Sequence, residues 1–282
     1  MLHKLYKSFL YSSSMLVVLG GFLVTGCSDD ENDGAPFNTA SYLGVKNNTD
    51  IVLQPLVYSF NGVSFRMIPV KGSYFLMGSS HKGADDDEKP VHSVLLSDYY
   101  IGETEVTQAL WNAVMESNPS KFTGNLRRPV ECVTWADCYT FISKLNSLTG
   151  ASFHLPTEAQ WEFAARGGTL SKGYDYSGGN YSALENVAWY YFNSSSSTHP
   201  VASKLPNELG LYDMSGNVAE WCLDWYGPYS STSQINPTGS YNGTYRVIRG
   251  GSWYDFSECK FSHREVGSPS KKYSDVGLRL AL

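Results

Sequence analysis

The sequence predicts an α+β fold: one compact domain of short helices and strands tied together by long, ordered loops. Three observations predict it. Charged residues make up only 17 % of the 282 residues while aromatic residues reach 14 %, with 20 Tyr, 7 Trp and 26 Gly. That mixture suits loops pinned by rings and does not suit a helical bundle. In the first half, short strand-like runs alternate with helix-length runs of 3.6 period. In the second half regular patterning thins into segments rich in Ser, Gly, Asn, Tyr and Pro. No internal repeat and no sharp composition break after residue 63 divides the chain further.

The elements follow in order. Thr39 to Phe60 is a strand-like lead-in. Phe65–Val70 and Tyr74–Gly78 read as two strands around a Lys71-Gly72 turn, and Val91–Tyr100 as a further strand. Between them, the acidic loop from His81 to Lys89 reads as solvated, with a cation site as the alternative. Thr104 is the expected N-cap of a first helix that places Val106, Leu110, Trp111 and Val114 on one face and stops at Asn118-Pro119. A second helix begins after Val133-Thr134-Trp135, buries Cys138, Phe141, Ile142 and Leu145, and ends at Thr149-Gly150. A third opens with the capping box Thr157/Gln160, turns Trp161, Ala164 and Ala165 inward, and closes at Arg166-Gly167-Gly168. Strand signals return at Tyr245–Arg249 and Gly277–Leu280.

The N-terminus reads as an address. Lys4 and Lys7 precede an apolar run, Phe9 to Val24, too short to span a bilayer comfortably. Val24-Thr25-Gly26-Cys27 then has the form of a lipoprotein processing box. The expectation is a signal peptide over residues 1–26 and a lipid on Cys27 that anchors the chain to a membrane surface. An ordinary secretory signal with an incidental cysteine is the alternative. Residues 27–62 read as an acidic tether and lead-in, with Ser28 to Gly34 too polar to fold. The acidic stretch also resembles the export tag of some Gram-negative surface lipoproteins, so the expected location is the outer membrane or cell surface. Net charge is −6 with no basic run, which argues against nucleic acid as a partner. Four further cysteines, Cys132, Cys138, Cys222 and Cys259, allow three disulfide pairings in an exported chain. Cys222 with Cys259 is the preferred pair, and free buried thiols are the alternative.

The order of several blocks is more specific than any one of them. Gly72 to Gly78 is followed by Glu105-Val106-Thr107-Gln108, Asn118-Pro119-Ser120 and Pro129 to Trp135. Then come Leu155-Pro156-Thr157-Glu158-Ala159-Gln160-Trp161-Glu162-Phe163, Gly210-Leu211-Tyr212-Asp213-Met214-Ser215-Gly216-Asn217-Val218-Ala219-Glu220-Trp221, Arg249-Gly250-Gly251-Ser252-Trp253 and Gly277-Leu278-Arg279. Residues 63–282 thus resemble the formylglycine-generating enzyme (sulfatase-modifying factor) family. The resemblance implies a single compact domain with a C-type-lectin-like fold and little regular secondary structure.

It also implies where chemistry would lie. Active members oxidise a sulfatase cysteine to formylglycine with oxygen and copper, and hold copper(I) between two cysteines five residues apart just after the Gly-Gly-Ser. Here the first position is Asp255, and the second is Lys260, or Cys259 if one residue is deleted. Copper(I) is soft and takes two thiolates, so Cys259 alone does not complete the pair. Some relatives use a histidine cluster for iron, but His81, His92, His154, His199 and His263 show no His-x-x-x-His spacing. Structural calcium is implied at the side chains of Asp213 and Glu220 and the carbonyls of Gly216 and Val218, hard oxygens of the kind calcium takes. A hydrogen-bonded turn is the alternative there. A second calcium maps to Asn186 and the carbonyl of Val187, with no acidic partner in the Asn193 to Thr198 loop.

Other residues carry two readings. Arg249 and Arg264 line a groove or bridge loops through Glu158 or Asp224; Trp189, Tyr190 and Tyr191 form a stacking platform or pin loops. Ser252 has no histidine-and-acid context of a nucleophile. The leading expectation is a membrane-anchored, non-catalytic domain that binds a protein, peptide or glycan, or serves as an envelope scaffold. The alternative is a formylglycine-generating oxidase whose altered copper site uses Cys259, with Asp255 or His263 replacing the missing partner.

Overall fold

The structure is a computed structural model and describes residues 43–46, 50–256 and 258–282. The signal peptide, Cys27 and the acidic tether lie outside the described residues. Along the chain run β1 (Leu43–Lys46), β2 (Asp50–Leu53), β3 (Leu56–Phe60), β4 (Val63–Val70), β5 (Tyr74–Met77), β6 (His92–Leu95) and β7 (Tyr99–Gly102). Then come α1 (Gln108–Met115), α2 (Trp135–Thr149), α3 (Glu158–Ala165) and α4 (Leu184–Val187). The last strands are β8 (Ala219–Trp225), β9 (Gln234–Ile235), β10 (Arg246–Arg249), β11 (Arg264–Gly267) and β12 (Val276–Gly277). Among the described residues no helix is long and apolar enough to cross a membrane.

The strands form small sheets in the orders β1-β2, β3-β4-β7, β5-β6-β9 and β11-β10-β8-β12. The expected pairing of Phe65–Val70 with Tyr74–Gly78 does not form, and Val91–Tyr100 is not one strand. Instead β4 pairs with β7 (Val70 opposite Tyr99) and β5 with β6 (Tyr74 opposite Leu95). The four strands are the two halves of one long hairpin, folded at Gly72 and Asp98. Gly72 N–H donates to Asp98 Oδ1 at 2.7 Å, and a Cβ at Gly72 would stand 2.2 Å from the carbonyl oxygen of Leu96, so only glycine permits the fold line. Near the C-terminus the strand is Val276–Gly277, parallel to β8, so of the expected Gly277–Leu280 only Gly277 lies in it.

The helices follow their side chains. Thr107 and not Thr104 caps α1, its Oγ1 accepting from Leu110 N–H, while Thr104 turns to the carbonyl of Glu105. The capping boxes Thr134/Asp137 and Thr157/Gln160 start α2 and α3, and Gly150 closes α2 in the left-handed region (φ 69°).

Two cores result. In one, α1 and α2 pack with β3 and β4 through Trp111, Phe141, Leu145, Tyr58 and Met67; Trp111 stacks on Phe141 with centroids 4.9 Å apart. In the other, α3 packs under β5 and β6 through Trp161, Phe163, Val94 and Leu211. A satellite of Tyr176, Leu184, Val187, Ala188, Tyr190 and Cys259 lies under the loop that follows β10. The chain end closes the fold: the carbonyls of Leu278, Leu280 and Leu282 accept from Val106, Gly102 and Tyr100, and Ala281 bridges His154.

Candidate functional site

The loop after β10 is built on close backbone approach. Gly250 (φ 100°) and Gly251 (φ 63°) turn it, and a Cβ at Gly251 would meet the backbone nitrogen of Cys259 at 2.8 Å. Ser252 is buried and its Oγ donates to Asp255 Oδ2 at 2.6 Å. The Gly-Gly-Ser therefore shapes a turn and presents no nucleophile. The carbonyl of Asp255 accepts from Tyr191 N–H at 3.0 Å and ties this turn to the 190s loop.

Cys259 lies beneath the turn, 0 % exposed. Burial pushes its thiol well above the ordinary range, and the charges of Asp255, Glu265 and Glu258 push it further. The preferred disulfide is not formed: Cys132, Cys138, Cys222 and Cys259 are all free. Cys222, on β8, packs in the α3 core and Cys259 in the Tyr176 satellite, so each is enclosed by its own apolar neighbours. Asp255 acts on Cys259 but is hydrogen-bonded to Ser252, and His263 Nδ1 faces Asp85 Oδ2 at 3.4 Å. A buried protonated thiol with a carboxylate partner does not fit copper(I), which seeks thiolates.

Above the turn stands a cluster of exposed rings. Tyr191, Phe192, Tyr254 and Phe256 are 46 %, 66 %, 60 % and 48 % exposed. Tyr191 stacks on Phe256 with centroids 4.0 Å apart, Phe192 meets Phe256 edge-on at 5.2 Å, and Tyr254 meets Tyr191 at 6.3 Å. The Trp189-Tyr190-Tyr191 segment divides its work: Trp189 stacks on His199, the buried Tyr190 supports the cluster edge-on against Phe192, and Tyr191 joins it at the surface.

Other carboxylates act on Asp255 in this turn. Asp255 and Asp275 are half-buried, and burial raises both above the usual carboxylate range, with added repulsion from Glu258 on Asp255 and from Asp255 and Glu131 on Asp275. Glu265 on β11 is pushed up to about 8 by burial and then by Asp255, Asp275 and Glu258. Its buried Oε1 has no hydrogen-bond partner, and neither has Oε2 of the fully buried Glu131. The sequence reading missed Glu265, Asp275 and Glu131, which are 10, 20 and 124 positions from Asp255 and carry no shared motif.

The residues expected to hold calcium come together around a second, buried group. Asp213 (φ 56°) accepts Ala202 N–H on Oδ2 at 2.8 Å, while its buried Oδ1 has no partner. Burial raises it to about 6. Glu220 is already engaged by Arg279, whose Nη2 lies 2.7 Å from Oε1, and by Trp161 Nε1 at 2.7 Å from Oε2. Glu105, also missed, accepts from Asn217 Nδ2 and Val218 N–H; burial raises its pKa well above normal, and Asp213 and Glu220 add to that. Three buried carboxylates thus share the field of one guanidinium, and the orphaned Asp213 Oδ1 is an oxygen of the kind a hard divalent cation takes. At the second expected position, Asn186 is exposed and its carbonyl accepts from Leu205 N–H.

Arg249 and Arg264 both bridge loops, and Arg264 also lines a cleft of about 380 Å³ beside Glu158 and Tyr229. Arg249 bonds Glu158 and Glu162 at 3.0 and 2.5 Å, and Arg264 reaches Glu158 at 2.6 Å; both arginines are buried. In the acidic loop Asp85 and Glu88 cap one another, and ligand atoms of Asp85, Glu88 and His263 lie within 4.8 Å of each other.

The fold and this site together define a loop-rich α+β domain of C-type-lectin-like architecture with an aromatic surface over its Gly-Gly-Ser turn. The model of the sulfatase-modifying factor enzyme 1-like domain matches residues 62–282, and the chain belongs to that family. It is 35 % identical over 241 residues to "Chaperone protein LppX" of Paenibacillus barcinonensis, covering 68 % of this chain and 79 % of that protein. It is 28 % identical over 283 residues to the formylglycine-generating enzyme of Streptomyces coelicolor, covering 76 % of this chain and 88 % of the enzyme. Among solved structures, Treponema denticola variable protein 1 superposes with a TM-score of 0.74 at 36 % identity, covering 80 % of this chain and 97 % of that one.

Proposed function

We propose that this chain is a membrane-anchored, non-catalytic binding domain of the sulfatase-modifying factor family, which engages a protein, peptide or glycan ligand at the cell envelope. One observation carries the reading: where the family's active members keep a thiol pair, this chain has Asp255 under four exposed, mutually touching rings and a buried, protonated Cys259. Exposed rings held in fixed contact are poor for solubility and good for recognition. The lipoprotein box at Cys27 would tether the domain to the outer membrane or cell surface through the acidic segment. Calcium would be held by Asp213 and the carbonyls of Gly216 and Val218, with Glu220 shared with Arg279, and would act structurally by balancing buried negative charge. A second calcium at Asn186 and Val187 would have one amide and one carbonyl from this chain, a weaker set.

The test sets this reading against the oxidase. The full-length chain, reduced and copper-loaded, is incubated under oxygen with a cysteine-containing sulfatase-motif peptide, and mass spectrometry follows loss of the thiol and gain of the aldehyde. No conversion by folded protein is expected. Conversion that disappears in Cys259→Ser would overturn the proposal.

A further inference from the structure

We propose that Asp85, Glu88 and His263 form a binding site for a divalent transition-metal ion of the zinc class, which would clasp the acidic loop of residues 81–89 to β11. The inference stands apart from the ligand proposed above and from the calcium residues around Asp213.

The cluster is mixed in chemistry and assembled from two distant parts of the chain. One ligand atom each of Asp85, Glu88 and His263 lies within 4.8 Å of the others. Asp85 and Glu88 sit on the loop before β6, and His263 directly precedes β11. Hydrogen bonds outside the cluster hold the two parts in place. Arg264 Nη1 donates to the carbonyl of Asp87 at 2.8 Å, the Tyr226 hydroxyl to Asp87 Oδ2 at 2.8 Å, and Ser79 N–H to the carbonyl of Glu88 at 3.0 Å. The ligand positions are therefore set before any ion arrives.

The geometry fits an ion better than an ion pair. His263 Nδ1 stands 3.4 Å from Asp85 Oδ2. That is longer than an ordinary N–H···O bond. Zinc bonds of about 2.0–2.1 Å place tetrahedral ligand atoms about 3.3 Å apart. Glu88 is 4 % exposed, and its Oε1 accepts from Asp85 N–H at 3.2 Å. Among the described residues no lysine or arginine pairs with Glu88, since the adjacent Lys89 goes to Asp86. A buried carboxylate without a cation is costly. The far side of the imidazole is provided for as well. His263 Nε2 faces Glu265 Oε1 at 3.9 Å, and that buried oxygen has no hydrogen-bond partner. A metal on Nδ1 puts the ring proton on Nε2, and metal-bound histidines commonly give that proton to a carboxyl oxygen. A carboxyl oxygen accepts it whether or not the group is ionised, and a shift of about 1 Å closes the bond.

The donor set chooses the ion. An imidazole nitrogen suits zinc-class ions, whereas calcium and magnesium take oxygens. Two carboxylates offset the charge of the dication. Three protein ligands are too few for calcium, and they leave one tetrahedral position for water. Asp85, whose side chain is 64 % exposed, has room to close the remaining gap.

The full-length chain in detergent, stripped with chelator, is titrated with zinc chloride by isothermal titration calorimetry in millimolar calcium and magnesium, which keep hard-oxygen positions occupied. One zinc per chain is expected to bind. Asp85→Asn, which keeps a capping oxygen, and His263→Gln should each weaken it at least tenfold, with Tm in chelator little changed. Glu265→Leu should weaken it about tenfold, and Glu265→Gln, which keeps an acceptor, should restore most of the affinity. The exposed His81→Gln should leave it unchanged. Zinc-edge X-ray absorption should show an imidazole contribution that disappears in His263→Gln. If His263→Gln does not fold, Asp85→Asn on the exposed loop decides. Absence of saturable binding, sulfur in the zinc shell, or displacement of zinc by calcium would overturn the proposal. So would wild-type affinity in Asp85→Asn, or an equal loss in His81→Gln.

Discussion

Replacing Arg279 with methionine tests whether the buried charge group at the calcium-type turn holds the domain together. Arg279 is 0 % exposed; besides Glu220 it caps the carbonyls of Gly102 and Tyr212, both at 2.8 Å. Methionine fills most of the volume but removes the one guanidinium facing Glu105, Asp213 and Glu220, and leaves two carbonyls without donors. Trp161 Nε1 alone would remain on Glu220. Removing one partner of a buried ion pair costs about 3–5 kcal/mol. In a domain of this size each kcal/mol moves Tm by about 2–4 °C, so Tm should fall by about 6–20 °C. Adding Glu220→Gln removes the stranded charge yet keeps an acceptor for Trp161, so the double variant should regain a good part of the loss. Thermal unfolding followed by near-ultraviolet circular dichroism in the presence of a chelator measures this without a metal contribution. A fall of less than about 3 °C, or a double variant no more stable than the single one, would refute the reasoning.

Three further outcomes are expected. Millimolar calcium should raise Tm in the wild-type chain and have little effect in Asp213→Asn; a site held at a hundred times its Kd contributes about 2.7 kcal/mol, and equal shifts in both proteins would exclude Asp213 as a ligand. Asp224, buried on β8 and raised to about 8 by burial and Glu158, binds a proton in the folded state that the unfolded chain has released. Its raised pKa therefore lowers stability as pH climbs from about 4 to about 8, so Asp224→Asn should flatten the urea-midpoint profile across that window; parallel profiles would count against it. Alkylation of the denatured, unreduced chain should modify Cys132, Cys138, Cys222 and Cys259 alike, and Tm should not respond to dithiothreitol; a protected pair of thiols would contradict the free cysteines.

The helices were legible because their signals are local. Thr157 with Gln160, the Cys138-Phe141-Ile142-Leu145 stripe and the Gly150 stop each lie within one element. Thr104 misled because Thr104 and Thr107 are both good caps, and only the bond from Leu110 N–H separates them. The β4–β7 and β5–β6 pairing was hidden because a short turn at Lys71-Gly72 reads as a hairpin unless Asp98 is known to lie opposite it. At the site, Asp255 and Cys259 were found by position relative to Gly-Gly-Ser. Tyr191 was named, but its contact with Phe256 spans 65 positions and belongs to no periodic pattern. Glu105 and Arg279 lie inside quoted motifs, yet their shared electrostatic role appears only when the chain end returns beside β7.

That return has a bearing on how the molecule is made. Residues 278–282 supply the acceptors for Val106, Gly102 and Tyr100 and the bridge to His154, so the β3-β4-β7 sheet and the α1–α2 core lack their closing strand until those residues emerge. Synthesis runs from the N-terminus, and contacts spanning some 180 positions are the slowest to close. The sheet and the α1–α2 core are thus completed only after residues 278–282 have been made. By the same logic, deleting residues 278–282 would leave a polypeptide that collapses without a finished core.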